Sequence, residues 1–164
     1  MVHKVFVSYH HDNDQWEANH LRDFYGSNDT LLDRSLSEAY EGLTNDQILA
    51  AIRTEHLKDS TVTIVLVGKD TAKRKWVDWE IYSSLRPYGD RSRNGLLAIM
   101  LDDNNEMPAR LADNIRTGYA VLMKWCNISW QLKDKIEEAY ANRSNPYLKV
   151  DNSRERRTNN GWWM

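Results

Sequence analysis

Apolar and amphipathic segments alternate along most of this chain. Residues 4–9, 61–67 and 95–101 are strand-length runs rich in valine, isoleucine or leucine, and the last two contain few polar positions. Strands that are apolar on both faces are typical of a parallel sheet covered by helices on each side. The same pattern predicts a last strand at 120–125 and a second strand at 31–36.

The segments between these strands have the apolar spacing of helices. Asp12 or Asp14 can cap a first helix that stops at Gly26, and Thr44 can cap the second. Two more helices are predicted, at about 71–87 and at about 128–142. Strands and helices in alternation predict a three-layer α/β sandwich around a five-stranded parallel sheet with a flavodoxin-like strand order.

The expected sheet also indicates where a ligand would bind. In parallel sheets of this order, ligands lie beyond the carboxyl ends of the strands, where the winding direction reverses. This rule selects the turn after the first strand, from Ser8 to Asp12, and the loops that follow Gly68 and Asp102.

Length and composition indicate one ordinary globular domain. The chain has 164 residues, of which 41% are hydrophobic and 28% are charged, enough for a sizeable core. We assign residues 1–145 to the α/β domain and residues 146–164 to a C-terminal extension that is polar until Trp162 and Trp163. Because two exposed tryptophans lower solubility, this end is expected to dock on the domain or on a second subunit.

Charge and cysteine content argue against several classes of protein. A formal net charge of -2 gives no field that favours nucleic acid or an anionic membrane. The apolar runs are too short to cross a bilayer, and the start of the chain has the pattern of a strand rather than of a signal peptide. The single cysteine, Cys126, has no internal disulfide partner, and no Cys/His spacing suggests zinc. The sequence therefore predicts a cytoplasmic protein without a structural metal.

The stretch KWVDWEI, Lys75 to Ile81, places a glutamate among tryptophans on a predicted helix. Residues four apart form the stripe expected to be buried: Val77, Ile81 and Leu85. Trp76 and Glu80 share a face beside that stripe, and Trp79 and Tyr82 lie further round, on the opposite side. Glu80 is thus expected next to an apolar wall without being fully inside it, which would partly desolvate the carboxylate and raise its pKa.

Spacing alone favours an ordinary role for these residues. A glutamate on a boundary face is usually solvated, here within reach of Arg74 or Arg86, and a tryptophan at core spacing is usually packing. Adjacent histidines after a strand, such as His10 and His11, are more often loop residues than ligands. Periodicity by itself therefore does not establish a function.

Two separated stretches together resemble the TIR domain family. VFVSYHHDND, residues 5–14, is similar to that family's first strand and the polar loop after it. TAKRKWVDWEI, residues 71–81, resembles its helix start followed by tryptophan, three residues and a glutamate. More narrowly, residues 3 to about 142 resemble the bacterial TIR-like proteins of the Thoeris anti-phage system. The resemblance implies a flavodoxin-like fold and NAD as a consumed substrate, with no bound cofactor.

The resemblance also assigns the site residues. Glu80 matches the catalytic glutamate of the family. The implied substrate-binding residues are Tyr9, His10, His11, Ser35 and Trp76. Histidines stand where related domains have arginines, so the positive charge for a pyrophosphate is reduced at neutral pH. Ser35 belongs to the loop at about 33–37 that corresponds to a mobile loop over the cleft.

The chemistry of NAD suits a single carboxylate. Most glycosidases need a second carboxyl group to protonate the leaving oxygen, but nicotinamide is positively charged in NAD and leaves as a neutral molecule. What remains is to stabilise the oxocarbenium-like ribose, which one glutamate can do electrostatically. Attack by water gives ADP-ribose, and attack by the substrate's own adenine or ribose gives a cyclic product. The residues do not decide between these outcomes. The resemblance favours a cyclic ADP-ribose-type signal that activates a separate effector protein, and it also allows a homo-oligomer.

Two other classes of protein share this fold. A non-catalytic TIR-like interaction module would use Trp76, Trp79 and the tryptophans of the extension as a binding surface. A phosphoacceptor domain would use acids after the first strand, but it needs an aspartate at the end of the central strand. The sequence offers only Asp70, beyond Gly68, so this class ranks last.

Overall fold

The fold is built on one parallel sheet. The computed structural model of the chain describes residues 3–25, 31–32 and 42–161. Four strands of four to six residues form the sheet, and a two-residue strand pairs with the first of them at its edge. These strands are β1 (Val5–Ser8), β2 (Leu31–Leu32), β3 (Val62–Val67), β4 (Gly95–Met100) and β5 (Val121–Lys124). All neighbours pair in parallel, in the order β2-β1-β3-β4-β5.

The strand order agrees with the flavodoxin-like order that the sequence predicts. The four longer strands lie inside the predicted segments. The prediction of a five-stranded sheet is correct only in part, because four strands form its body and the predicted second strand or loop at 31–36 is described only at Leu31–Leu32. Residues 33–36 lie outside the described part of the chain. The winding direction reverses between β1 and β3, so a crevice between their carboxyl ends is the expected place for a ligand.

Helices cover both faces of the sheet. They are α1 (His11–Tyr25), α2 (Asn45–Ala51), α3 (Lys75–Ser84), α4 (Ala109–Arg116) and α5 (Ile128–Asn142), and a π-helix, Ile52–Leu57, continues α2. On one face, buried residues of α1 and α5, such as Leu21 and Ile136, share a core with alternate strand residues. On the other face, α3 and α4 form a second core with β3 and β4, while α2 and the π-helix pack near Phe6. The three-layer arrangement is therefore confirmed.

The start of α2 follows the predicted capping. Thr44 Oγ1 accepts from the backbone N–H of Gln47, and the Gln47 side chain accepts from the backbone N–H of Thr44. The predicted helix to about Lys58 continues as the π-helix. Because hydrogen bonds in a π-helix join residues five apart, this segment lets Ile52 and Leu57 both reach the core.

Helix α4 is an element that the sequence pattern did not predict. Its buried face is largely polar: Arg110, Asp113 and Asn114 are all buried together with Leu111. These polar side chains bond to α3 and to the C-terminal extension, so the apolar stripe of this short helix is limited to Leu111 and Ile115.

The C-terminal extension docks on α3 and α4. The side chain of Asn114 bonds to both the backbone N–H and the carbonyl of Asp151. Further along, the backbone N–H of Lys75 donates to Asn160 Oδ1 at 2.8 Å, so the extension caps the start of α3. Docking is thus observed for the extension up to residue 161, while Trp162 and Trp163 lie outside the described residues. Within the described ranges, no helix is long and apolar enough to cross a membrane.

Candidate functional site

Glu80 lies in the interior, beneath the end of β1. Its side chain is only 4% exposed, and Ser8 Oγ donates a hydrogen bond to Glu80 Oε1 at 2.5 Å. Ser8 is the last residue of β1, and its side chain points to the α3 layer, as that of Phe6 does. The site is therefore at the carboxyl end of the strand next to the point where the winding reverses.

Burial dominates the electrostatics of this carboxyl group. Desolvation raises the pKa of Glu80 to about 8, and the hydrogen bond from Ser8 offsets only part of that increase. At neutral pH the group is thus mostly protonated. The predicted direction of the pKa shift is confirmed, but the predicted boundary position is wrong, since Glu80 is fully enclosed. Among the described residues its side chain bonds to Ser8, and not to Arg74 or Arg86.

The C-terminal extension covers the side of α3 that carries Trp79 and Asp78. The sequence interpretation put Trp79 on the side opposite the core, but Trp79 is 3% exposed. Its Nε1 donates to the carbonyl of Arg157 at 2.8 Å, because the extension covers this side of the helix. Asp78 is covered in the same way by Arg110 and by the backbone N–H of Arg157. Trp79 is thus part of the interior and not of a binding surface.

Trp76 lies one turn before Glu80, as the spacing predicts. Its indole is half-buried and meets Trp79 edge to face, with ring centroids 5.5 Å apart. The ammonium of Lys75 lies 4.5 Å from the Trp76 ring centroid. Trp76 packs at the margin of the core formed by Phe6 and the π-helix. It therefore forms an aromatic wall at the edge of the region that contains Glu80.

The loop after β1 brings the other predicted residues to the same end of the sheet. Tyr9 is buried in the core on the α1 side, and its hydroxyl donates to Gln15 Oε1 at 3.0 Å. The half-buried ring of His11 packs on that of Tyr9, with centroids 4.2 Å apart. His10 is half-buried at the rim, where its Nδ1 accepts from the backbone N–H of Asn13. The Tyr9 ring therefore positions His11 but offers little surface to a ligand.

Neither histidine is a good source of positive charge. Burial lowers the pKa of both His10 and His11, and the nearby guanidinium of Arg74 lowers each further. Both imidazoles are therefore neutral at pH 7, in line with the reduced charge expected from sequence. Arg74 itself precedes α3 and is half-buried close to these histidines. It supplies the positive charge that the histidines do not.

The loops after β1 and β3 are tied together across the crevice. Asn13 Nδ2 donates to Asp70 Oδ2 at 2.9 Å. Asp14 is buried, has backbone angles outside the helical range, and keeps one carboxylate oxygen without a hydrogen-bond partner. Burial raises the pKa of Asp14 to about 6. This carboxyl group lies against Gly68, the residue that directly follows β3. The loops after β1 and β3 are therefore packed against each other.

Substitution of Gly68 by alanine tests that contact. A Cβ at this position would fall on Asp14 Oδ2 and lie 2.6 Å from its Cγ. We expect Gly68→Ala to lower the free energy of unfolding, measured in urea, by about 1–3 kcal/mol because the overlap forces a shift. The added Asp14→Ala change should recover much of that loss. Equal losses with and without Asp14 would show that the contact is not the cause.

Three points about the predicted site residues remain: Ser35, the residues that were not named, and metal ligands. Ser35 lies outside the described residues, and the structure says nothing of it. Sequence reasoning placed Ser8 in the turn expected to bind a ligand and Arg74 within reach of Glu80, but it named neither among the site residues. Within residues 3–25 and 42–161, no cluster of three or more histidine, cysteine or acidic side chains is arranged to hold a metal ion.

The parallel sheet with helices on both faces is consistent with a TIR-like fold. Residues 6–106, more than half of the chain, match the family model described as "Thoeris protein ThsB, TIR-like domain". The chain belongs to this family, and membership implies a part in anti-phage defence. No curated protein matches the chain. The match ends before α4, so α4, β5, α5 and the extension lie beyond it.

Proposed function

We propose that this protein is a cytoplasmic enzyme that cleaves the nicotinamide–ribose bond of NAD with Glu80 as its catalytic group. The observation that carries the proposal is a buried glutamate at the carboxyl edge of the sheet, whose one hydrogen bond within the described residues comes from a serine hydroxyl. A buried carboxyl group with no cationic partner in the described part of the chain destabilises the fold whenever it ionises, so its presence is better explained by chemistry than by stability.

The charge on the substrate completes the electrostatics of the site. Glu80 is mostly protonated in the free protein. A positively charged nicotinamide riboside next to it favours loss of that proton, and the resulting carboxylate stabilises the cation that develops on the ribose. When the C–N bond breaks, its electron pair leaves with nicotinamide, which becomes neutral. Because Glu80 is enclosed, entry of NAD requires the groups that cover it to move.

The second step determines the product. Attack by water on the ribose cation gives ADP-ribose after loss of a proton. Attack by a nitrogen or hydroxyl of the same molecule gives a cyclic product, again with loss of one proton. We infer a cyclic ADP-ribose-type signal that diffuses to a separate effector protein, as the family resemblance favours. A half-buried aromatic wall at Trp76 supports this, since it limits water near the ribose.

Arg74 is the group best positioned to bind the pyrophosphate. We expect Arg74→Gln to raise KM for NAD about tenfold, with a smaller effect on kcat, because a charge-assisted hydrogen bond to the substrate is lost. Steady-state release of nicotinamide measures both constants. Arg86→Gln is the matched control, since Arg86 is exposed at the other end of α3 and stacks on Tyr82. An unchanged KM in the Arg74 variant would remove this residue from the site.

Incubation with NAD tests the proposed function. The purified chain, alone and in extract from phage-infected cells, is mixed with NAD, and the products are separated by mass. We expect nicotinamide together with a product lighter than ADP-ribose by one water. The rate should increase with pH up to about the pKa of Glu80, near 8, because the carboxylate is the active form. Absence of nicotinamide in both conditions would refute the proposal.

A non-catalytic interaction module is the second candidate function. Trp16 on α1 and Trp130 on α5 are 66% and 68% exposed, and exposed tryptophans are enriched in binding surfaces. This candidate does not use Trp79, which is buried. It predicts that a bound partner is lost in Trp16→Ala or Trp130→Ala while NAD remains intact in every condition.

A further inference from the structure

A cavity of about 380 Å³ lies between α3 and the C-terminal extension. Trp79 and Tyr82 contribute from α3, and Asn45 contributes from the start of α2. The remaining wall comes from residues 152–156 and Thr158 of the extension. Most of this wall lies beyond the segment that matches the family model. The cavity is therefore a feature of this chain's own C-terminal part.

Arg156 is the notable group in this cavity. Its guanidinium carbon is 4.6 Å from the ring centroid of Trp79 and 5.1 Å from that of Tyr82. Both rings are within cation–π distance of the guanidinium and restrain its position. In the described part of the chain no hydrogen bond or ion pair to its edge is found, and Nη1 is buried without a partner. A fixed guanidinium with unused N–H groups is arranged to receive an oxyanion.

The neighbouring charges distinguish Arg156 from the other arginine of the cavity. Arg154 already donates to Asp113, through hydrogen bonds of 2.9 and 3.0 Å. Glu155 is exposed at the wall of the cavity and would oppose an anion. Thr158 and Asn45 add a hydroxyl and an amide that can donate to further oxygens. Arg156 is thus the cation available for a ligand.

We propose that this cavity binds a phosphoryl group, either as free phosphate or as the phosphate of a mononucleotide. The planar edge of Arg156 matches two oxygens of such a group, and the hydroxyl and amide donors suit its remaining oxygens. The volume is within the range of pockets for small ligands. Such a ligand would contact both the extension and α3, the helix that carries Glu80, because Trp79 and Tyr82 of α3 line the cavity.

Calorimetric titration tests the proposal and keeps it separate from NAD cleavage. The titrations use the full chain with Glu80→Gln, so that the outcome does not depend on catalysis, and inorganic phosphate and AMP are the two probes. We expect saturable binding with one site. Tighter binding of AMP would identify a nucleotide as the ligand, and equal or tighter binding of phosphate would identify the free ion. No binding of either probe at millimolar concentration would overturn the proposal.

Variants of the cavity locate the binding site. Arg156→Gln should weaken binding at least about tenfold, since a charge-assisted bidentate contact is lost. Thr158→Val should weaken it less, and Glu155→Gln should strengthen it because an opposing charge is removed. Arg116→Gln removes the same charge from an exposed residue outside the cavity and should change nothing. Unchanged affinity in both Arg156→Gln and Thr158→Val, with both variants folded by circular dichroism, would place the anion elsewhere and overturn the proposal.

Discussion

Replacing Glu80 by glutamine is expected to abolish nicotinamide release and to stabilise the fold at neutral and alkaline pH. Glutamine keeps the shape of the side chain and an oxygen that can accept from Ser8 Oγ. It lacks the negative charge that stabilises the ribose cation, so kcat should fall by about 10²-fold or more. The simultaneous gain in stability is the unusual part of this prediction, because most buried substitutions destabilise proteins.

The gain in stability depends on pH in a defined direction. The pKa of Glu80 rises from 4.5 to about 8 on folding. Its neutral form is therefore favoured in the folded state, and that contribution is complete below pH 4.5 and is lost as pH rises towards 8. Relative to the glutamine variant, the parent should lose up to about 1.4 kcal/mol for each pH unit in this window. Urea unfolding at pH 5, 6.5 and 8 measures the difference. The raised pKa of Asp14 is common to both proteins and cancels.

The matched control is Glu138→Gln, the same change at an exposed residue that pairs with Lys135. This variant should keep its activity and differ from the parent by no more than about 0.5 kcal/mol at every pH. If Glu80→Gln retained nicotinamide release, Glu80 would not be catalytic. If the stability of this variant relative to the parent did not change with pH, the carboxyl group would not be buried as described.

Replacing Arg110 by methionine should cause the largest loss of stability. Arg110 is fully buried, and its Nε donates to Asp78 Oδ1 at 2.9 Å. It also bonds to Asn152 Oδ1 and to the carbonyl of Glu155, which fixes the extension. Removing the cation leaves Asp78 charged and buried, and the hydrogen bond that remains to it within the described residues comes from the backbone N–H of Arg157. We expect the free energy of unfolding to fall by about 3–5 kcal/mol.

A second substitution separates the ion pair from simple packing. Asp78→Asn added to Arg110→Met should recover part of the loss, because the isolated buried charge is removed. Lys124→Met is the control, since its ion pair with Asp103 is exposed and should contribute at most about 1 kcal/mol. Limited proteolysis should also release the extension in Arg110→Met before the domain is cut. A loss no larger than in Lys124→Met would contradict the role of this pair.

The sequence predicts the sheet well because its central strands carry a strong signal. In β3 and β4 nearly every position is apolar, and both strands are buried on their two faces. Helix α4 gives no such signal, because its inward face carries Arg110, Asp113 and Asn114, whose partners come from distant segments. Polar pairs of this kind become recognisable only when the fold brings them together.

The shared face of Glu80 and Trp76 on α3 could be predicted from sequence, but the environment of Glu80 could not. Glu80 and Trp76 lie on one face of α3, as helical spacing requires. The burial of the other side of the helix could not be predicted, because Trp79 and Asp78 are covered there by Arg157 of the extension. A prediction from helical periodicity assumes that one side of the helix faces solvent. This assumption fails for α3, because every residue from Val77 to Ile81 is buried.

Titration of the Glu80 carboxyl group tests the central claim most directly. The ¹³C shift of this carboxyl carbon, assigned by comparison with Glu80→Gln, is followed from pH 4 to 10. The same titration is repeated with a non-hydrolysable NAD analogue that keeps the positive nicotinamide ring. We predict a pKa near 8 in the free protein and a lower pKa with the analogue bound, because the cation favours the carboxylate. A pKa near 4.5, or one that the analogue leaves unchanged, would contradict the account.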